Sequence, residues 1–169
     1  MGPYTIAKMD MVLDLDMQDK GKAYISLEDL KVYTAAEAAQ NLGKIDLVYL
    51  YRSIPGITFN HALVAPSASV EYLPGITLPS GVNRSAKISK VWNLRDFHLA
   101  RLQFSVFIDD LDFEQLNIAD APDYAVNMRS EAGAWVETAD GKYRAYIFMN
   151  SVNNGNQSAR ISIKRYTMN

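Results

Sequence analysis

Alternation of apolar and polar residues predicts a β-strand at the start of the chain. Apolar side chains occupy every second position from Met9 to Met17, and three aspartates and Val12 lie between them. A period of two is typical of a half-buried strand. The alternation resumes from Ala23 to Leu27 after the turn residues Asp19-Lys20-Gly21, so the pattern predicts a β-hairpin. The polar side chains expected on the solvent face of its second strand are Lys22, Ser26 and Glu28.

A short helix and a buried strand are predicted next. Thr34 is followed three residues later by Glu37, which is the pattern of a capping box. Four alanines favour a helix over residues 35–42, and Gly43 supplies a stop signal. Residues 45–51 then carry apolar side chains on both faces of a strand. Such a strand is usually central in its sheet and covered above and below.

The middle of the chain is less regular. Proline and glycine divide residues 53–85 into short apolar pieces, which predicts a long connection of the kind that often carries function. Residues 103–108 have the pattern of a strand. Residues 110–118 have the pattern of a short helix, with Asp109 or Asp110 as its N-terminal cap.

The C-terminal third predicts a three-stranded antiparallel meander. Residues 134–138 and 142–150 flank the turn signal Asp140-Gly141, and residues 159–166 alternate again. The whole chain, 1–169, is therefore predicted to be one β-rich α+β domain. We expect an antiparallel sheet or β-sandwich of seven to nine strands with two short helices.

Composition and charge exclude several classes of function. The 17 basic residues are balanced by 19 acidic ones, so the clustered positive charge that nucleic-acid binding requires is missing. The chain has no cysteine, which excludes disulfides, thiolate metal sites and thiol catalysis. No run of apolar residues approaches the roughly 18 that a membrane helix needs. The first residues, Met1–Tyr4, do not have the pattern of a signal peptide.

Residues that carry acid–base or metal chemistry are few. His61 and His98 are far apart and accompany no Gly-x-Ser-x-Gly elbow, so both are predicted to be structural or surface residues. The stretch Asp14–Asp19 fails as an EF-hand loop, because its sixth and twelfth positions are Asp19 and Ile25 rather than glycine and glutamate. A second acidic cluster reads as a helix cap and comprises Asp109, Asp110 and Asp112. No cofactor or metal site is predicted.

Aromatic residues offer a candidate binding site. An exposed tryptophan or tyrosine complements the apolar face of a sugar ring, and neighbouring polar side chains bind its hydroxyls. The candidates are Tyr72 and Trp92, in or beside the irregular middle, and Trp135, at the start of the C-terminal hairpin. The alternative for each is a structural role at a core position, since large aromatic side chains are mostly at least half buried.

Several strand and turn motifs resemble uncharacterised domains of Bacteroidetes cell-surface lipoproteins. The motifs are Gly21–Thr34, Lys44–Tyr51, the Ala65-Pro66 step, Trp135–Tyr143 and Ile161–Lys164. The resemblance implies an exported, lipid-anchored domain associated with glycan uptake or adhesion, and it supplies no catalytic residues.

Together these observations predict a non-enzymatic domain at the cell surface that binds a polysaccharide or another surface protein. A purely structural spacer is a second reading. A glycan-acting hydrolase is a third, and it requires a cleft with two carboxyl groups ~5–9 Å apart, one of them with a raised pKa.

Overall fold

Two antiparallel sheets make up the described part of the molecule. The computed structural model describes residues 6–16, 22–54, 57–68, 78–91, 113–155 and 157–168, and within these ranges ten strands form two five-stranded sheets. Sheet A contains, in spatial order, β1 (Ile6–Asp16), β10 (Ser158–Thr167), β9 (Tyr143–Asn153), β8 (Gly133–Thr138) and β6 (Ala86–Val91). Sheet B contains β3 (Lys31–Tyr33), β2 (Tyr24–Ser26), β4 (Leu47–Ile54), β5 (Ile57–Val64) and β7 (Tyr124–Met128). The helical elements that lie wholly within the described ranges are α1 (Ala35–Ala39) and a 3-10 turn, Pro66–Ala68. The predicted β-rich α+β class is confirmed, although the ten strands exceed the seven to nine expected.

The main core lies between the two sheets. It joins Ile25, Leu47 and Leu63 of sheet B to Val136 and Ile147 of sheet A, and all five side chains are fully buried. Each such side chain contributes about 1.5–3 kcal/mol relative to an exposed position. The sandwich therefore depends on one apolar layer that both sheets share.

The central strand and the C-terminal meander are confirmed. β4 is the third of five strands in sheet B, and its outward-facing Val48 and Leu50 are as buried as its inward-facing neighbours. β8, β9 and β10 lie side by side in sheet A in antiparallel order. The period of the apolar residues and the residue types of the turns are sufficient to locate these elements, because both signals depend only on neighbouring residues.

The predicted capping box is present at α1. The Thr34 hydroxyl accepts a hydrogen bond from the Glu37 amide at 3.2 Å, and the Glu37 carboxylate accepts one from the Thr34 amide at 3.0 Å. The helix ends at Ala39, three residues before the predicted end. The amides of Gln40 and Asn41 bond to carbonyls three residues back, which tightens the last turn.

The predicted N-terminal hairpin is wrong. β1 pairs with β10 in sheet A, whereas β2 pairs with β3 and β4 in sheet B. The 11-residue β1 finds a ten-residue partner in β10, while β2 is only three residues long. Ser26, expected outside, is fully buried and its hydroxyl accepts from the Asp29 amide at 3.1 Å.

The irregular middle contains a strand that was not predicted. β5 lies inside residues 53–85 and forms a hairpin with β4. The predicted strand 103–108 lies outside the described residues. Of the predicted helix 110–118, only Phe113 and the residues after it are described: Phe113 and Glu114 are helical, whereas residues 116–118 are irregular.

Basic side chains fasten the two sheets to each other. Lys90 lies on edge strand β6, and its ammonium donates to the carbonyls of Val126 at 2.8 Å and Asn127 at 3.1 Å on edge strand β7. Arg165 of β10 donates to the carbonyl of Leu27 at 2.9 Å, just beyond β2. These bonds connect the two sheets, whereas the backbone ladders hold strands together within each sheet.

Candidate functional site

Among the residues predicted to bind ligand, Trp135 lies in the described part of the chain, whereas Tyr72 and Trp92 lie outside it. His98, the acidic residues 109–112 and the side chains of 14–19 also lie outside the described set. The sugar-binding prediction can therefore be placed in three dimensions only around Trp135.

Trp135 lies on the outer face of sheet A and is partly buried. Its ring packs edge-on against Phe113, with ring centroids 5.4 Å apart, and tilted against Tyr146, with centroids 4.9 Å apart. Both neighbours are almost completely buried. The indole is therefore held in one orientation by its aromatic neighbours while part of its surface stays accessible.

A cavity of about 390 Å³ lies at the end of sheet A, and its volume is within the range of small-molecule sites. We call it the turn cavity. Its walls are the start of β6, the end of β8 and the β8–β9 turn, and its lining residues are Ser85, Ala86, Lys87, Glu137, Thr138, Ala139, Asp140 and Gly141. Glu137 and Trp135 are two residues apart on β8, so their side chains share one face.

Hydrogen bonds fix the polar side chains of the turn cavity. The Asp140 carboxylate accepts from the Thr138 hydroxyl at 2.7 Å and from the Lys142 amide at 3.0 Å. The bond from the Lys142 amide is the main cause that lowers the pKa of Asp140, followed by the bond from Thr138. Gly141 adopts a φ of +70°, which favours glycine, and its amide donates to the Thr138 carbonyl at 2.9 Å. The predicted Asp140-Gly141 turn is thus a rigid wall of the cavity.

An ion-pair network lies behind this turn. The Arg84 guanidinium is 3.5 Å from the Asp140 carboxylate and 3.8 Å from the Asp46 carboxylate, and it donates to the Gly43 carbonyl. We call Arg84, Asp46 and Asp140 the Arg84 junction. Asp46 is 1% exposed and accepts from the Leu27 amide at 2.8 Å. Burial raises the pKa of Asp46 to about 6, although the Leu27 amide and Arg84 oppose the shift.

Sequence reasoning missed the Arg84 junction. One signal was available, because Asp46 interrupts the apolar run of residues 45–51. A carboxylate inside a buried strand requires a cation or hydrogen-bond donors. The pattern does not identify Arg84 as that cation, since the two residues come together only in the folded chain.

His61 lies in a buried network at the opposite end of the sandwich. The Tyr49 hydroxyl is 2.5 Å from its Nδ1, and the Asn154 side-chain oxygen is 2.7 Å from its Nε2. An amide oxygen only accepts, so Nε2 carries the proton and Nδ1 accepts from Tyr49. Burial lowers the pKa of His61, which favours this neutral form. The network joins sheet B to the β9–β10 turn, so the imidazole links structural elements.

Replacing His61 by phenylalanine should lower the free energy of unfolding by about 2 kcal/mol, because two hydrogen bonds between elements are lost. Urea unfolding at neutral pH measures the change. Asn154→Ala is the matched control, since it removes only the bond at the exposed end and should cost less than half as much. Equal stability of His61→Phe and the wild-type chain would contradict a linking role.

Within the described ranges, no group of three or more histidine or acidic side chains is arranged to hold a metal ion. None of the helices described has the length and apolar character needed to span a membrane.

Comparisons with known proteins agree with the Bacteroidetes resemblance in part. A family model described as a domain of unknown function (DUF8576) matches residues 7–168. No curated protein matches the sequence. The crystal structure of a DUF4466 family protein from Parabacteroides merdae ATCC 43184, a member of the Bacteroidetes, is 37% identical and has a TM-score of 0.75. The match covers 99% of this chain and 56% of that one, so the chain spans little more than half the length of the Parabacteroides protein.

Proposed function

The chain belongs to the DUF8576 family of domains of unknown function, and from that premise we propose that it is a non-catalytic cell-surface domain that binds carbohydrate. The proposed site is the turn cavity together with Trp135. The cell-surface part of the proposal rests on the resemblance of the strand and turn motifs to domains of Bacteroidetes cell-surface lipoproteins, since the likeness to the Parabacteroides protein concerns family and fold.

The observation that carries the proposal is a partly exposed tryptophan on the same strand face as Glu137, which lines a polar cavity. Trp135 supplies a partly accessible aromatic side chain, and the cavity supplies hydroxyl, carboxylate and ammonium groups. An aromatic surface with a few fixed polar groups is the usual composition of a small-molecule site. Because hydrogen bonds already hold Asp140 and Glu137 in place, a ligand would lose little free energy in ordering them.

Internal bonding of the candidate acid–base groups favours binding over catalysis. Glu137 accepts from the Arg144 guanidinium at 2.8 Å, and His61 bonds at both ring nitrogens. Each of these groups has a partner that fixes its position. Such groups suit recognition of a ligand better than transfer of a proton to it.

A glycan-acting hydrolase is the alternative that one specific observation favours. Asp46 and Asp140 both lie within 4 Å of one Arg84 nitrogen, so the two carboxylates can be no farther apart than the sum of these distances, a limit that falls within the roughly 5–9.5 Å found in glycosidases. The pKa of Asp46 is also raised. Against this reading, the Asp46 side chain is only 2% exposed and Arg84 contacts both carboxylates.

Lys87→Ala tests the binding site with little effect on the fold, because Lys87 is exposed at the rim of the cavity. Loss of a charged hydrogen bond to the ligand should weaken binding by about tenfold. We would screen oligosaccharides by thermal shift and measure affinity by calorimetry for any sugar that stabilises the chain. Lys31→Ala is the matched control, since Lys31 is an exposed lysine on β3 of the other sheet.

Trp135→Phe completes the test, because phenylalanine keeps an aromatic ring in the cluster while reducing the face offered to a sugar. Binding that both variants weaken and Lys31→Ala does not would support the proposed site. No stabilisation by any oligosaccharide, or equal affinity of all three variants, would overturn it. New reducing ends in a polysaccharide digest that disappear in Asp140→Asn would favour the hydrolase instead.

A further inference from the structure

The Arg84 junction connects a buried carboxylate to the wall of the turn cavity. Asp46 lies immediately before β4, where its amide donates to the Ile25 carbonyl at 2.9 Å and its carboxylate accepts from the Leu27 amide. Asp140 lies in the β8–β9 turn on the other sheet, and its side chain is 52% exposed. One arginine therefore contacts a carboxylate inside the protein and a carboxylate at the candidate site.

Arg84 is held in place by more than its two carboxylate partners. Its guanidinium donates to the Gly43 carbonyl beyond α1, and its backbone carbonyl accepts from the Ser67 amide at 3.0 Å. Its side chain is 20% exposed. Because its backbone is fixed, a change in charge at Asp46 redistributes the attraction of the guanidinium between Asp46 and Asp140 rather than releasing the arginine.

We propose that the Arg84 junction regulates the turn cavity, because protonation of Asp46 leaves Arg84 paired with Asp140 alone and so shifts the β8–β9 turn. With Asp46 ionised, the guanidinium is shared between two carboxylates. With Asp46 neutral, Asp140 becomes the sole anionic partner of the junction and has less capacity to accept hydrogen bonds from a ligand. Affinity at the turn cavity should therefore fall as Asp46 takes up a proton. This last consequence rests on the proposed function.

The charged groups that face Asp46 come from three elements. Arg84 lies before β6, Asp140 lies in the β8–β9 turn, and Glu28 lies in the β2–β3 turn. Arg84 favours the ionised form of Asp46, whereas both carboxylates disfavour it. Lys44 draws Glu28 and Asp29 into ion pairs at 3.7 and 3.5 Å, which reduces their influence. Burial is the largest effect and places the pKa of Asp46 at about 6, within the pH range of many natural environments.

The test follows backbone amides of the ligand-free chain by NMR between pH 7.5 and 5. We expect the amides of Ala139, Asp140 and Gly141 to titrate with a midpoint near pH 6, the pKa of Asp46. Asp140 itself titrates at lower pH, because its pKa is lowered. In Asp46→Asn, which keeps the side-chain shape and an acceptor for the Leu27 amide, the transition at the turn should be absent.

Three outcomes would overturn the proposal. Turn amides that do not move between pH 7.5 and 5 show that protonation does not reach the cavity. A transition that persists in Asp46→Asn must come from another titratable group, such as His61 at the opposite end of the sandwich. If Asp46→Asn does not fold, the titration of the Asp46 carboxyl carbon is followed by NMR in the wild-type chain instead. A midpoint that differs from that of the Gly141 amide would contradict the coupling. Because no ligand is used, this result is independent of the oligosaccharide screen.

Discussion

Gly133→Ala is expected to lower the free energy of unfolding by about 3 kcal/mol, the upper part of the usual range for overpacking a filled interior. A β-carbon at this position would stand 2.1 Å from the Tyr146 hydroxyl oxygen and 2.5 Å from the ring carbon that carries it. Tyr146 is 2% exposed and packs against Trp135, so its ring has little room to turn away. Urea unfolding followed by tryptophan fluorescence measures the loss and also reports on Trp135.

A matched glycine and a second-site change make this prediction specific. At Gly155 an added β-carbon meets a single atom, the Asn153 side-chain oxygen at 3.2 Å, so Gly155→Ala should cost less than about 1 kcal/mol. Adding Tyr146→Phe to Gly133→Ala removes the 2.1 Å contact and should recover part of the lost stability. Wild-type stability of Gly133→Ala would show that the aromatic cluster is not held against β8.

Elements that depend on neighbouring residues could be predicted from the sequence. β4 is marked by apolar side chains on both faces, α1 by its Thr34–Glu37 capping box, and the β8–β9 turn by Asp140-Gly141. In each case the physical cause is local: the period of the side chains, an orphan helix amide, or a glycine with positive φ. Structure and prediction agree at these positions because no distant partner is needed.

Strand pairing could not be predicted in the same way. The alternation in β1 shows that it is half buried, but the choice between β2 and β10 as its partner depends on contacts across the whole chain. Proximity in sequence favoured β2, and the longer ladder with β10 is the one that forms. Loop-closure entropy rises slowly with chain length, so a distant partner costs little more than a near one.

The burial of residues on the outer face of sheet A could not be predicted from the alternation of apolar and polar residues either. Ser162 and Lys164 alternate with apolar residues in β10 and would be expected in solvent, yet they are 4% and 5% exposed. The available signal was in β9, where Tyr146 and Phe148 make the second face of the strand apolar. A sheet whose neighbouring strand is apolar on both faces is covered on both faces, and polar residues in the next strand are then buried with it.

The candidate site combines a predicted part with one that was not foreseen. Trp135 and the Asp140-Gly141 turn were identified from residue type and turn chemistry. Lys87 and Arg84 reach the same place from β6 and the loop before it, through the pairing of β6 with β8. A candidate site formed by strands that are distant in sequence can be recognised only once the pairing of those strands is known.

The pH dependence of stability should differ between the wild-type chain and Asp46→Asn. Burial raises the pKa of Asp46 from 3.8 to about 6 in the folded state. The contribution of this group to stability is therefore fully present below pH 3.8 and is lost as the pH rises through about 6. A shift of this size corresponds to about 3 kcal/mol, since one pKa unit equals about 1.4 kcal/mol.

Asp46→Asn cannot ionise, so its stability relative to the wild-type chain should increase by about 3 kcal/mol between pH 4 and pH 7. Urea unfolding of both proteins across this range gives the difference directly. His61 acts with the opposite sign, because its lowered pKa makes its contribution present above pH 6.5 and lost as the pH falls through the folded value. Since His61 is unchanged in both proteins, its effect cancels in the difference. If the free energies of unfolding of the two proteins change in parallel with pH, Asp46 has the same pKa in the folded and unfolded chain. Asp46 would then stay ionised between pH 7.5 and 5, and the Arg84 junction could not respond to pH in that range.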